Sequence, residues 1–475
     1  MNFWHTALQW FSNFVLVYSI LSLGSYLLIA LFSIRETRRY LRKLSFTNYR
    51  VLASSELAPS ISLLATAYNE GPTILDNVRS LLSLHYENME LIIINDGSKD
   101  DTLEKLIKKL ELVPDTTRPC EGQLACKPIK GVYRSTNPIY RKVVVIDKEN
   151  GGKADAMNAG INLARNKYIV ATDGDCILEQ DALLKMVKPF LQSTNRQMIA
   201  TGGVVRIIND CEVHNGRLSK INMPRNLIVR TQVLEYIRAF LLGRMAWSRI
   251  NGLLIVSGAF GCFDRDVVIA CGGYQQGSFG EDFDLVVSMR RYMEENGLPY
   301  RVQYIPEPLC WTEAPASFKF LNNQRNRWAR GLIQTLWKHR KTIFNPSYGI
   351  LGIVSIPYFL LFEFLAPFIE FVGFIIFLVL AITGMIDWEH FLALLAFVLG
   401  FGYLLSFFAI LMEVSTFNQY RNKGDIRKLM FAAILEPFYF HPFVTYSAIR
   451  GHIDLLLKRQ KGWGEMKRTG FKKAV

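Results

Sequence analysis

The chain has 475 residues, 50% of them apolar by type, and 55 basic against 41 acidic side chains give a formal charge of +14. That length leaves room for more than one domain, and that apolar content argues against a purely soluble protein. The basic excess gathers beside apolar runs, at Arg35, Arg38, Arg39, Arg42 and Lys43 and again at Arg421, Lys423, Arg427 and Lys428. This placement points to an anionic membrane face and away from nucleic acid, for which no zinc finger, aromatic RNA-binding signature or basic helix is present.

Residues 11–34 form an uncharged apolar run long enough to span a bilayer as a helix. Positive charge follows the run and no small-residue cleavage site closes it, so it reads as an anchor and not a signal peptide. The same charge puts the following domain in the cytosol, at the cell inner (plasma) membrane. From about residue 59 strand and helix signals alternate: strand 61–67, a helix opened by Gly71-Pro72 and running to 84, strand 91–95, helix 99–110, strand 143–147, helix 153–164, the stretch 168–176 as a strand that stops on two acids, and helix 180–191. That order predicts an α/β fold with a doubly wound, mostly parallel sheet. Residues 114–138 break the rhythm and read as an inserted loop. The seven cysteines are odd in number and scattered, as expected of reduced cytosolic thiols; the close pair Cys120 and Cys126 lacks a second pair or a histidine to complete a metal set.

Further strands are expected at 202–208 and 253–257, with helices at 225–247, 281–296 and 316–342. The last is amphipathic and expected to lie in the membrane interface. Residues 349–383 and 391–412 read as membrane segments, with Asp387 and Glu389 marking an external turn. Residues 429–457, split by Pro437 and Pro442, are expected to be broken, interfacial or re-entrant, which keeps the basic tail inside. Glu363, Glu370 and Glu413 within apolar segments should face the bundle interior or a wet path. The resulting division is an anchor (1–50), a catalytic domain (51–315), an interfacial helix (316–345), a membrane region (346–457) and a basic cytosolic tail (458–475).

The chemistry concentrates at strand ends. Asp173-Gly174-Asp175 closes an apolar strand, where a carboxylate pair suits magnesium or manganese bridging a diphosphate, although Asp-Gly is also an ordinary turn. Tyr68-Asn69-Glu70 and Asn95-Asp96-Gly97-Ser98 end two other strands, in position to read a nucleoside; taken singly, the second is better explained as a helix cap, Ser98 with Asp101. Asn150-Gly151-Gly152-Lys153 opens a helix as a phosphate-binding end or a plain glycine turn. Glu281, Asp282 and Asp284 answer a helix dipole, or supply a base to an attacking sugar hydroxyl. On the helix at 316–342, Gln324, Arg327, Trp328 and Gly331 share one face, suited to a diphosphate and a sugar ring or to an interfacial belt.

Asp96, the Asp173-Gly174-Asp175 triplet, Glu281-Asp282 and the Gln324-x-x-Arg327-Trp328 run occur in an order and spacing that resemble the processive family 2 glycosyltransferases, which include cellulose, chitin, hyaluronan and poly-N-acetylglucosamine synthases. The resemblance covers roughly residues 59–345 and is closest to the poly-N-acetylglucosamine synthase-like branch. It implies a GT-A fold with transmembrane helices on both sides, a UDP-sugar donor, Mg2+ or Mn2+, and inversion at the anomeric carbon. By motif, Glu70, Asp96, Lys153, Asp173 and Arg327 would bind the donor, Asp173 and Asp175 the metal, and Asp282 would be the base. Ser257, Gly258, Glu281, Gln324 and Trp328 would hold the acceptor; Glu313 resembles a recurrent acid of the family. The inserted segment departs from shorter members. No cyclic-dinucleotide receptor domain fits in the tail after Leu457, so regulation of that kind is expected to need a partner or be absent, an accessory subunit for export or regulation being one such partner. Partners expected are the UDP-sugar, a growing glycan or a lipid acceptor, and the bilayer. Two rival functions remain: transfer of one sugar to a membrane lipid, and a non-catalytic nucleotide-sugar sensor or scaffold.

Overall fold

Runs such as Leu91-Ile92-Ile93-Ile94 and Val143-Val144-Val145-Ile146 carry no polar face and are buried on both sides, which suits parallel strands covered by helices. The structure, a computed structural model, describes residues 2–44, 58–117, 122–174, 176–192, 195–214, 216–420, 422–459 and 472–473. In chain order its strands are β1 (Ile61–Ala67), β2 (Met89–Asp96), β3 (Leu112–Pro114), β4 (Ile129–Ser135), β5 (Val143–Lys148), β6 (Tyr168–Asp173), β7 (Ile177–Leu178), β8 (Gln197–Ile207), β9 (Glu212–His214), β10 (Arg217–Lys220), β11 (Phe260–Asp264) and β12 (Tyr300–Thr312).

Ten of them form one sheet in the order β3-β4-β5-β2-β1-β6-β11-β8-β12-β7. Strands β5, β2, β1 and β6 run parallel, and so do β8 and β12; β11 is antiparallel to both of its neighbours. Chain order reverses at β1, whose neighbours are β2 on one side and β6 on the other. A crevice opens outside the carboxyl ends of strands at such a switch point. The expected mostly parallel α/β sheet is the one observed.

Several elements differ from expectation. Residues 253–257 join no ladder: Val256 packs against Gly202 and Gly261, its carbonyl accepts from Arg244 Nη1 at 2.6 Å, and β11 stands in the ladder between β6 and β8. The inserted segment is not a plain loop. Its second half is β4, which covers the free edge of β5, and its first half packs on the Lys153–Leu163 helix through paired hydrogen bonds between Leu124 and Asn162. The strand β12 escaped the sequence reading because Pro306 and Pro308 interrupt it, where its register with β8 shifts.

Among the described residues three stretches are long and apolar enough to cross a membrane: Asn13–Lys43, Leu351–Ile382 and Phe391–Thr416. They lie on both sides of the catalytic domain in sequence. The amino-terminal helix is tied down by Ser33 Oγ donating to the Leu241 carbonyl (2.8 Å), Tyr40 to Glu307 (2.6 Å) and the Glu36–Arg249 pair (3.2 Å). Glu413 faces neither a wet path nor lipid. It is buried in an ion pair with Arg206 of β8, clamping the Phe391–Thr416 span to the catalytic sheet.

Residues 423–456 form one continuous helix, not two pieces (Lys423–Leu456). Each proline removes one backbone hydrogen bond, and lateral contacts replace that support: Glu436 pairs with Arg238, the Tyr439 hydroxyl bonds Thr231, and Asp454 accepts from Asn326 at 2.9 Å. The expected interfacial helix, Phe318–Lys338, is accordingly packed on both flanks, between Lys423–Leu456 and the Glu281–Glu295 helix.

Candidate active site

One cavity of about 2500 Å³ begins at the carboxyl ends of β1, β2 and β6, passes Asp282 and the Gln324–Trp328 face, and continues between the membrane helices past Tyr18, Tyr26, Glu363 and Glu370. The described residues to which the resemblance gives donor, acceptor or base roles all lie on its wall: Glu70, Asp96, Lys153, Asp173, Ser257, Gly258, Glu281, Asp282, Gln324, Arg327 and Trp328. Asp175 lies outside the described residues, as does Cys120.

Asp96 is buried, and its carboxylate accepts from Lys148 Nζ (2.9 Å), the Gly151 and Gly152 amides (3.0 and 2.8 Å) and the Asn150 side-chain amide (3.2 Å). Those four partners fill the acceptor sites of a carboxylate. Asp96 therefore builds the 150–152 turn, the Asn150 amide being the longest of its four contacts. The same geometry corrects the phosphate-cradle reading: the amides of Gly151 and Gly152 already point at Asp96, leaving the Lys153 side chain as the cation of this segment.

Lys153 Nζ sits 2.5 Å from Asp173 Oδ1, 3.8 Å from Glu281 Oε1, and donates to the Gly258 carbonyl at 3.0 Å. Burial would lower its pKa, but Asp173, Glu281 and Asp282 outweigh burial and hold the ammonium well above the ordinary lysine value. Burial pushes the Glu281 carboxyl up, with Lys153 opposing and Asp282 adding. A Cβ on Gly174 would lie 2.7 Å from Glu70 Oε2, so the Glu70 carboxylate borders the same spot as Asp173. The carboxylates of Asp173 and Glu70 are hard oxygen donors of the type a divalent cation takes, although Asp173 is here paired with the Lys153 ammonium. Among the described residues no group of three ligands forms.

Asp282 opens the Glu281–Glu295 helix and carries no ion pair among the described residues. A Cβ on Gly258 would stand 2.5 Å from Asp282 Oδ2, so only glycine lets the 257–259 segment approach this carboxylate. Asp284 points the other way. It is buried against Lys338 (2.7 Å) and His339 (3.1 Å), and although burial raises its carboxyl, these two hold it below the ordinary aspartate value. The pair ties the Asp282 helix to the end of the Phe318–Lys338 helix. One turn earlier the two elements meet backbone to backbone, Gly331 against Gly280.

On Phe318–Lys338 the 3.6-residue period divides the side chains as expected. Gln324, Arg327, Trp328 and Gly331 face the cavity, whereas Arg325 pairs with Glu235 (2.5 Å) and Arg330 stacks on Phe279 (3.4 Å to the ring centre). Gln324 Oε1 is buried without a partner among the described residues. Sequence reasoning missed Lys148 and Asp155; the one available signal was a lysine ending a strand that is apolar from Val143 to Ile146.

Carboxylates at a switch-point crevice, a helix presenting amide, guanidinium and indole, and flanking membrane helices define a membrane-embedded GT-A transferase. Family models agree: "Glycosyltransferase like family 2" matches residues 131–331 and "Glycosyl transferase family 2" residues 62–116. The chain belongs to glycosyltransferase family 2. It is 30% identical to the poly-beta-1,6-N-acetyl-D-glucosamine synthase of Staphylococcus aureus strain COL over 360 residues, 73% of each chain. The synthase of the same name from Staphylococcus epidermidis is 28% identical over 296 residues, 62% of this chain and 60% of that one. Among solved structures, the mannosyltransferase PcManGT of Pyrobaculum calidifontis, in complex with GDP-Man and Mn2+, has a TM-score of 0.54 at 16% identity, over 95% of this chain and 100% of that one; the likeness is one of fold.

Proposed function

We propose that this protein is a polysaccharide synthase that transfers N-acetylglucosamine from a UDP-sugar to the end of a growing β-linked glycan and passes the product into its own helix bundle. The observation that carries the reading is the continuity of the cavity from Asp173 and Asp282 to Glu363 and Glu370 between the membrane helices. A single sugar handed to a lipid needs no passage of that extent. The basic residues after the first span support a cytosolic catalytic domain.

The acceptor hydroxyl, held against Trp328 and Gln324, attacks the anomeric carbon as the bond to UDP breaks. Asp282 takes the hydroxyl proton. Arg327 and Lys153 face the charge growing on the departing diphosphate. Asp173, with Asp175, would hold Mg2+ or Mn2+, which when bound supplies further neutralisation of the diphosphate. Lys153, paired with Asp173 at 2.5 Å, lies on the same wall as Arg327, on the side where the diphosphate would sit.

The test is UDP release by purified protein in membranes, with Mg2+ or Mn2+, across a panel of UDP-sugars. Release with UDP-N-acetylglucosamine and a high-mass product, both lost in Asp282→Asn while UDP binding persists, is the expected result. A lipid-linked monosaccharide as sole product, or UDP binding without release, would refute it.

A further inference from the structure

Lys148 closes β5 with a side chain 0% exposed, and its ammonium is shared between Asp96 Oδ1 at 2.9 Å and Asp155 Oδ1 at 2.5 Å. A buried ammonium is strongly unfavourable unless paired and hydrogen-bonded. Both partners of this one are themselves anchors, and they lead in opposite directions.

The Asp96 arm holds the 150–152 turn, which lines the cleft beside Lys153. The Asp155 arm reaches the base. Asp155 Oδ2 accepts from Gln276 Nε2 (2.9 Å) and from the Lys127 amide (3.0 Å). Asn158, on the next part of the same helix, clasps Tyr274 by donating to its carbonyl (2.9 Å) and accepting from its amide (2.8 Å). Residues 274–280 run directly into Glu281 and Asp282. The inserted segment closes this arrangement from behind, since Ala125 accepts from both Gln276 and Asn158.

We propose that Lys148 is a positioning residue of the transferase: one buried ammonium that fixes the nucleotide-side turn through Asp96 and the base-bearing loop through Asp155. The inference rests on the UDP-sugar reading above. It gives the insertion a function as well, as the back wall of the loop that carries Asp282.

The two arms predict different kinetic defects. Lys148→Met should weaken UDP binding, read by calorimetry on the full-length protein, by about tenfold, and lower kcat. Asp155→Asn keeps the Lys148–Asp96 pair, so kcat should fall while UDP affinity stays within about twofold of wild type. Because Lys148 acts on the nucleotide through Asp96, the double variant Asp96→Asn, Lys148→Met should bind UDP no worse than the weaker single variant. A folded Lys148→Met with wild-type UDP affinity overturns the proposal, as do additive losses in the double variant. Should Lys148→Met fail to fold, Asp155→Asn decides, and an unchanged kcat overturns the coupling. Wild-type protein that binds no UDP would instead refute the donor reading, and the nucleotide arm with it.

Discussion

Gly331→Ala would separate two elements that meet without side chains. A Cβ at Gly331 falls 2.7 Å from the Gly280 amide nitrogen, 2.8 Å from its Cα and 2.9 Å from the Phe279 carbonyl carbon, whereas ordinary contact begins at 3.4 Å. All three neighbours are backbone, so nothing can swing aside and the helices must part by about 0.7 Å. Gly280 lies two residues before Asp282, and Gly331 one turn beyond Arg327. The displacement therefore falls on the distance between Asp282 and Arg327, the base and the diphosphate-facing group of the proposed mechanism. Misplacing reacting groups by about 1 Å can cost about 10²-fold in rate, so a loss of roughly ten- to fiftyfold in kcat is expected. Stability should change less, because alanine gains about 1 kcal/mol over glycine in a helix interior against roughly 1–3 kcal/mol for overpacking. UDP release, UDP affinity and thermal unfolding measured together separate these effects. Gly400→Ala, on a helix face with nothing within 4 Å, is the control. Wild-type kcat in Gly331→Ala would refute the argument that this contact sets the site.

The Asp284 anchor carries a pH signature. Its carboxyl is depressed in the folded chain, so its stabilisation is complete above the ordinary aspartate range and lost as pH falls through the folded value. Asp284→Asn should cost roughly 3 kcal/mol near pH 7, the low end for a buried pair because Lys338 is partly exposed. The gap in melting temperature from wild type should close below about pH 4; a constant gap down to about pH 3 would contradict the assignment. Glu413→Gln leaves Arg206 buried without its counter-charge and should cost roughly 3–5 kcal/mol. Glu363→Gln, on the cavity wall, should leave the melting temperature nearly unchanged, and equal losses in the two variants would show that Glu413 is not a clamp.

What was legible in the sequence was local. Apolar runs ending on acids revealed β1, β2 and β6 with their functional ends, because a parallel strand must be apolar throughout and its ligand-facing residues come just after it. The shared face of Gln324, Arg327 and Trp328 followed from helical period alone. Contacts between distant segments carried no such signal. Glu363, Glu370 and Glu413 look alike in an apolar run, yet the first two line a cavity and the third meets Arg206, 207 residues away in the chain. The Glu281–Asp284 cluster concealed a similar division, Asp282 facing the cleft and Asp284 its neighbouring helix. Strand β4 was hidden in a segment whose composition reads as loop, since what makes it a strand is the open edge of β5.

If the proposed function holds, a cavity joining the donor cleft to the interior of the helix bundle would make the permeability of this protein depend on what fills it. Each elementary charge that crosses a membrane at 100 mV dissipates about 2.3 kcal/mol. A glycan in transit would serve as its own seal, and between chains side chains must do so. Within the bundle, Phe377 stacks on Phe391 with ring centres 4.4 Å apart, and both line the cavity. Aromatic rings at such a position would let an idle enzyme hold the membrane potential that the working one must also preserve.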